Sequence, residues 1–512
     1  MSSKAKDSVM RSTLAVTLII LASKGMGFIR DIISAGYFAT GMERDAYTSA
    51  YSLFYLPVLL FNSCITSTLI PLYVDARQND SRLGADRFAS NCINLFFAFS
   101  LGIAVLMYFL AEPLVRLVYI GFDPGKAHLT ADLTRIMLLS LLFVVTSIVL
   151  ASVLNAQERF LPAQLTGFPL SAAVIIATVF FSRRYGIRAV AWGVFFAGIG
   201  QVLILLPWCR RDLKWSPHLS LKDPRIQQML KLAVPAVLAM AVNELNHLID
   251  KSIASGLNTG DISALDYAYR LIQFATGVLA VPLTTVMFSR IARKSAEHDR
   301  SGIMEILQNC IEVMPMVMVP FTVAGGVLAE DIIRLVYMHG RFGMDSLRVT
   351  SSVFLFYIVG ILGFSMRDIF NRAFHAMQDT RTPMRVACLT VVLNIALNLI
   401  LSRVMGANGL ALATSVSCAA GAVILFALLR RRLGRMGLQR SLRELSKIAA
   451  AAVVCLILAF VLNRLVPPAA GKGSALLRIV LIVFASFAGY LAALAALKAR
   501  QLAFLKKTLL RR

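Results

Sequence analysis

Residues 12–37 read STLAVTLIILASKGMGFIRDIISAGY. The stretch is long and apolar enough to cross a bilayer as one helix, because a hydrocarbon core about 30 Å thick takes roughly 20 residues at the helical rise. Yet it carries Lys24, Arg30 and Asp31. Such a charge costs about 2.5–3.5 kcal/mol at a helix centre on insertion scales, so a membrane helix that keeps several faces a lumen and uses them. The same pattern recurs along the chain at Glu244, Asp250, Asp266, Arg270, Arg367, Asp368 and Arg372. The reading is a polytopic membrane transporter with charged groups in an inner cavity.

Composition agrees. Of 512 residues, 58% are hydrophobic and 15% charged, more apolar surface than a soluble chain of this size hides. The net charge of +25 sits mainly in short connections and at the C-terminus, and no basic groove interleaved with aromatics suggests nucleic acid. The seven cysteines form no CxxC or metal spacing and read as small core hydrophobes. The start MSSKAKDSVMR is polar and basic, and the apolar run after it is too long for the core of a cleavable signal.

Fourteen membrane helices are expected, near 12–37, 46–74, 88–110, 132–155, 161–182, 187–209, 226–255, 262–289, 303–328, 346–375, 384–402, 408–430, 446–463 and 475–497. The set of connections that includes both termini holds more than twice as many Lys and Arg as the opposite set, which places both termini in the cytoplasm. The chain also repeats. RLVY stands at 116–119 and 334–337, Gln157-Glu158-x3-Pro162 answers Gln378-Asp379-x3-Pro383, Gly186-x4-Ala191 answers Gly406-x4-Ala411, and Asp45 answers Asp266, all at offsets of 218–221. Six helices separate the copies, so they share one topology, related by an axis along the membrane normal. The expected fold is all-α: two pseudo-symmetric six-helix lobes at 1–209 and 225–430, a basic cytoplasmic linker at 210–224, and two further helices with a basic tail at 431–512.

The charges suggest anionic cargo. Lys24 and Asp31 share a helical face, and Gly25 and Gly27 invite a bend that would bring Lys24 and Arg30 onto one anion. The alternative is that both cations pair with Asp31 and other carboxylates. Glu244, His247 and Lys251 form a stripe with Asp250 beside it, either a proton or cation site or a self-neutralising ladder. Asp266–Arg270 and Asp368–Arg372 can pair at i, i+4. Cations still exceed acids on the helices bearing Lys24, Arg30, Arg270, Arg367 and Arg372, and the planar fork of arginine suits phosphate. Asp250, Asn394, Asn398 and Thr414 offer oxygens to a coupling Na+, or hydrogen-bond helix to helix. There is no P-loop, GxSxG, HExxH or nucleotide fingerprint, so an enzyme is not expected and no cofactor is required. Helices thirteen and fourteen, rich in small residues, could line a groove for a lipid tail.

SKGMGFIRDIISAGYFATGMERDAY (23–47), NELNHLIDKSIASGL (243–257), DYAYRLIQFATGVLAVPL (266–283) and FHAMQDTRTP (374–383) resemble the signatures of the bacterial lipid II flippase family, MurJ or MviN. The likeness covers about residues 10–430. It implies the fold of the multidrug and polysaccharide exporter superfamily, with two lobes rocking between inward- and outward-open states around a cationic cavity. It implies lipid II, the undecaprenyl-pyrophosphate glycopeptide, as cargo, with cell-wall synthesis proteins as neighbours in the bacterial inner membrane. It implies Lys24, Arg30, Arg270 and Asp45 as substrate-site residues; the reading of the charges adds Asp31 to that set, with Arg367, Arg372 and Glu244 as further cavity residues. Lys24 stands where arginine is usual, and SLFYLPVLLFNS (52–63) lacks the arginine often found in helix two. A flippase for another polyprenyl-linked oligosaccharide and a cation-coupled multidrug exporter are the alternatives.

Overall fold

The computed structural model describes residues 3–80, 82–434, 438–467, 472–500 and 502. Most of the expected basic C-terminal tail lies outside them. Among the described residues all regular structure is helical. In hydrocarbon each backbone N–H and C=O must find a partner within the protein, which a helix does by itself.

The order is α1 (Ser3–Phe38), α2 (Met42–Asn79), α3 (Arg82–Phe109), α4 (Ala111–Val118), α5 (Pro124–Leu138), α6 (Leu141–Ala156), α7 (Phe160–Gln164), α8 (Gly167–Ile176), a π turn (Ala177–Phe181), α9 (Ser182–Tyr185) and α10 (Ile187–Asp212). After a connection come α11 (Pro224–Ala254), α12 (Asp261–Ala296), α13 (Arg300–Val327), α14 (Ala329–Tyr337), α15 (Met344–Val359), α16 (Ile361–Ala376), α17 (Arg381–Met405), α18 (Ala407–Leu433), α19 (Leu438–Leu465) and α20 (Lys472–Ala496). Ten helices, or twelve if two bent pairs each make one span, are long and apolar enough to cross a membrane among the described residues. The long helices α1 and α11 stand outside that set and carry many of the charges singled out above. The expected fourteen crossings are compatible with this arrangement.

Several boundaries correct the sequence expectation. The fourth and tenth spans are not single rods. α5 and α6 meet at a 42° bend, α15 and α16 at 44°. In the second case Ser415 Oγ donates to the Phe356 carbonyl at 2.8 Å, partnering an oxygen near the break. Helix eight starts at Asp261, one residue before the expected boundary, but runs on to Ala296, past the expected end at 289. α1 runs as one continuous helix through Gly25 and Gly27. The short amphipathic helices α4 and α14 were not expected, being far below span length.

The repeat is built into the backbone. Besides the matched bends, Glu158 and Gln378 share a positive φ of 62° and 60°, and Gly186 and Gly406 share φ 58°. Tyr119 Oη donates to the Ser49 carbonyl at 3.0 Å, and Tyr337 Oη to the Tyr267 carbonyl at 3.3 Å. Donor and acceptor are both offset by 218 residues, so the repeat partner of Asp45 is Ser263 rather than Asp266.

By compactness the chain forms one unit of Met1–Ser263 with His339–Phe342, and a second of Ala264–Met338 with Gly343–Arg512. α11 therefore belongs to the first unit, where it packs along α2. Asp123 and Asp223 cap α5 and α11, accepting from the N–H of Lys126 and Arg225 at 2.9 Å each, with Pro124 and Pro224 in the first turn. In the second unit α19 and α20 pair, and α19 packs on α13. Tyr490 donates to the Met316 carbonyl at 3.1 Å, and Ser441 to buried Glu312 at 3.1 Å. Buried Arg478 joins Asp331, Asn463 and the Val466 carbonyl, tying this hairpin to α14.

Candidate cationic transport site

On α1, Arg30 donates Nε and Nη2 to Asp31 Oδ1 at 3.1 and 3.0 Å, and the two side chains are 17% and 9% exposed. Lys24 is exposed. The pair fixes the guanidinium while α1 keeps an excess cation. Beyond the end of α1, Arg44 at the start of α2 is buried, donates to Ser34 Oγ at 2.7 Å and lies 5.1 Å from the Tyr47 ring centroid. Tyr47, Tyr51 and Tyr55 then stack at i, i+4 spacing, with centroids 6.1 and 5.5 Å apart.

Asp45 is fully buried. Its Oδ2 accepts from Lys126 Nζ at 2.8 Å and from the Gly260 N–H at 2.7 Å, while Oδ1 accepts from Ser263 N–H at 2.9 Å and Oγ at 2.5 Å. These four donors come from α5 and from the loop and first turn of α12, not from the first-helix cations. Lys126 is also buried, 4.5 Å from the Phe122 ring centroid. Sequence reasoning singled out Asp45 but missed Arg44, Lys126, Gly260 and Ser263. No local sequence signal marked the last two, since the repeat read from sequence paired Asp45 with Asp266.

Gly340 and Gly121 meet other glycines within the first unit. A Cβ on Gly340, whose φ is +60°, would strike the Gly36 carbonyl, and one on Gly121 would strike the Gly256 backbone. Arg341 N–H donates to the Gly36 carbonyl at 2.7 Å. Gly121 N–H donates to Ser255 Oγ at 3.2 Å. On α11, Glu244 is half-buried, His247 exposed, and Lys251 donates to Ser52 Oγ at 2.6 Å.

In the second unit Arg270 Nε donates to Asp266 Oδ2 at 2.9 Å, and Arg372 Nε to Asp368 Oδ2 at 2.9 Å, the i, i+4 pairs expected. Both arginines keep part of their surface exposed, 28% and 34%. Arg367 lies alongside Gly421, where a Cβ would come within 3.4 Å of its Cδ. Asn398 Nδ2 donates to Asn394 Oδ1 at 3.0 Å, Asn394 Nδ2 to Ser417 Oγ at 3.2 Å, and Thr414 Oγ1 to the Leu410 carbonyl at 3.0 Å. The amides and hydroxyls expected around an ion thus cluster on α17 and α18. Asp250 stands on α11 in the first unit.

The family model for the lipid II flippase MurJ matches residues 34–481. The chain belongs to the MurJ family. A Rhizobium tropici protein named "Probable lipid II flippase MurJ" is 28% identical over 483 residues, covering 92% of this chain and 90% of its own. One of the same name from Buchnera aphidicola subsp. Acyrthosiphon pisum is 27% identical over 443 residues, with 85% and 86% covered. A solved lipid II flippase MurJ in an inward closed conformation superposes with a TM-score of 0.81 at 25% identity, covering 97% of this chain and all of that one. A multidrug resistance MATE family transporter in an inward-facing conformation gives a TM-score of 0.70 at 14% identity, covering 82% of this chain and 98% of that one, a likeness of fold alone.

Proposed function

We propose that this chain is a flippase that carries lipid II from the cytoplasmic to the outer leaflet by alternating access through a cationic cavity. The supporting observation is that Arg30 and Arg270, in membrane helices of a MurJ-family chain, are each oriented by a neighbouring carboxylate yet remain partly exposed. A pyrophosphate carries negative charge and several acceptor oxygens, and oriented guanidinium forks complement both. A drug exporter for cationic compounds would need the opposite sign. The relatives across most of the chain carry the lipid II flippase name, which favours this cargo over other polyprenyl-linked oligosaccharides. Both termini lie in the cytoplasm and the bilayer is the bacterial inner membrane, supported by the asymmetry of basic loops. Neighbours in cell-wall synthesis belong to the same proposal.

Asp31 positions Arg30, and Asp45 holds the ends of α2, α5 and α12 together; neither touches phosphate, because carboxylate and phosphate repel. Lys24, Arg367, Arg372 and Glu244 complete the cavity's charge. Coupling to sodium through Asp250, Asn394, Asn398 and Thr414 is its second element, supported by the buried oxygen cluster on α17 and α18. The same atoms also satisfy one another. Sodium-dependent protection of Asn394→Cys from a thiol reagent, in a background without native cysteines, separates the readings; identical protection in choline makes the cluster structural.

The experiment for the main reading is replacement. In cells depleted of their own lipid II flippase, expression of this chain restores growth; failure at normal protein level refutes the assignment.

A further inference from the structure

The connection between α10 and α11 is tied to α3, and beyond Leu213, which packs inward, its larger apolar side chains lie outward. Four polar side chains on the first turns of α3 hold its backbone. The N–H of Lys214 donates to Asp86 Oδ2 at 3.3 Å and that of Ser216 to Ser90 Oγ at 3.1 Å. Asn91 exchanges two hydrogen bonds with Ser220, at 2.9 and 2.8 Å. Asn94 donates to the carbonyls of Ser216 and His218 at 3.1 and 2.8 Å. Asp86, Ser90 and Asn91 are buried beneath this strap. The small polar residues Ser216 and Ser220 face the protein. Leu219 and Leu221 face away, 58% and 53% exposed, and Trp215, whose indole N–H donates to Asn94 Oδ1 at 3.2 Å, leaves 60% of its surface exposed.

In water the sides would be reversed, because large apolar side chains gain by turning inward. The outward set is instead bordered by cations: Arg210, Lys214 and Lys222 are exposed. Two nearby carboxylates are occupied elsewhere. Asp223 caps α11, and Asp80 accepts from Arg225 at 2.6 Å, a bond that holds its carboxyl below the usual range. The strap joins the ends of two membrane helices, so it lies where hydrocarbon gives way to headgroups. Tryptophan favours that depth, and lysines beside it meet phosphate there.

We propose that residues 213–222 form an interfacial anchor that seats Trp215, Leu219 and Leu221 in the membrane surface and binds anionic phospholipid headgroups through Lys214 and Lys222. The anchor is a lipid-binding surface separate from the transport site. It fixes α3, α10 and α11 against the headgroup plane, whatever cargo the chain carries.

The test uses the full chain with Trp192→Phe and Trp208→Phe, leaving Trp215 as the sole tryptophan and exciting it selectively over tyrosine, in nanodiscs of phosphatidylcholine alone or mixed with phosphatidylglycerol. The anchor predicts blue-shifted Trp215 emission and protection from aqueous iodide. It also predicts stronger quenching by lipid brominated near the headgroup than by lipid brominated near the chain end. Lys214→Glu with Lys222→Glu should reduce the quenching in phosphatidylglycerol discs and leave it unchanged in phosphatidylcholine discs. Emission typical of water without lipid quenching overturns the proposal. A blue shift that arises only on adding a membrane-protein extract also overturns it, assigning the surface to a protein partner. Quenching equal in both discs and indifferent to charge reversal removes the headgroup contact.

Discussion

The ammonium of Lys126 lies 2.8 Å from Asp45 Oδ2, and the two side chains are 6% and 0% exposed. They are 81 residues apart, and the same carboxylate also receives Gly260 and Ser263, so one buried charge gathers three stretches of chain. A buried pair adds little over an apolar pair of similar shape, but removing one partner strands a charge.

Lys126→Met alone should therefore destabilise the protein by about 3–5 kcal/mol, and adding Asp45→Asn should recover much of that. Thermal melting of the purified single and double variants in one detergent checks this. Equal melting points for Lys126→Met and the parent would show that the pair is not the tie described.

Arg30→Ala and Arg270→Ala should each abolish rescue of flippase-depleted cells at normal protein level, and Lys24→Arg should be tolerated because it keeps the charge. Loss of one charge-assisted hydrogen bond is worth about 1.5–3 kcal/mol, about tenfold to a hundredfold in affinity, enough to separate the variants in lipid II binding. Full rescue by both alanine variants would remove these residues from the site.

Asp31→Asn should impair transport without tightening lipid II binding, because it frees the guanidinium of Arg30 from its fixed orientation. Binding and translocation measured on one preparation decide the matter. Tighter binding with unchanged transport would mean that Asp31 opposes the cargo directly.

Gly340→Ala and Gly406→Ala isolate strain from collision. Both glycines have φ near +60°, but the space around Gly406 is open while a Cβ at Gly340 meets Gly36. Gly406→Ala should cost about 1–3 kcal/mol from backbone strain alone, because φ 58° with ψ −134° is a conformation that residues with a Cβ rarely adopt. Gly340→Ala should cost distinctly more, read as a larger drop in melting temperature.

Acid should weaken two loops outside the membrane. Asp299 is held far below the usual carboxylate range by the Gly302 N–H first, then Lys294 and Ser301. At Asp379 burial would raise the pKa, but the N–H and hydroxyl of Thr382 together with Arg432 outweigh it and the net shift is downward. A lowered folded pKa gives stability that is present above the unfolded value, about 3.9, and is lost as pH falls toward the folded one. Melting temperature should fall between pH 5 and 3, and less steeply in Asp379→Asn; parallel curves would count against the Asp379 contribution.

Much of the fold was legible because hydropathy and repeat spacing are local or periodic signals. Spans, the even repeat and the i, i+4 pairs of Arg270 and Arg372 follow from residues a few positions apart. The bends at 139–140 and 360 were not legible, because their breaks lie inside runs that remain apolar. Nor was the engagement of Asp45, whose donors are distant in sequence. Lys126 looked like an ordinary loop cation until the fold buried it. The linker's role was hidden for a related reason: its composition reads as basic, whereas its polarity is set by which side chains α3 captures.

The most direct test of the central claim is the movement of lipid II itself. Flippase-depleted cells expressing this chain are converted to spheroplasts and treated externally with an enzyme that cleaves lipid II. Cleavage product should reach the level of flippase-replete cells with the parent chain and stay at the depleted level with Arg30→Ala or Arg270→Ala. Product at the depleted level with the parent chain, present in the membrane at normal amount, would contradict the account.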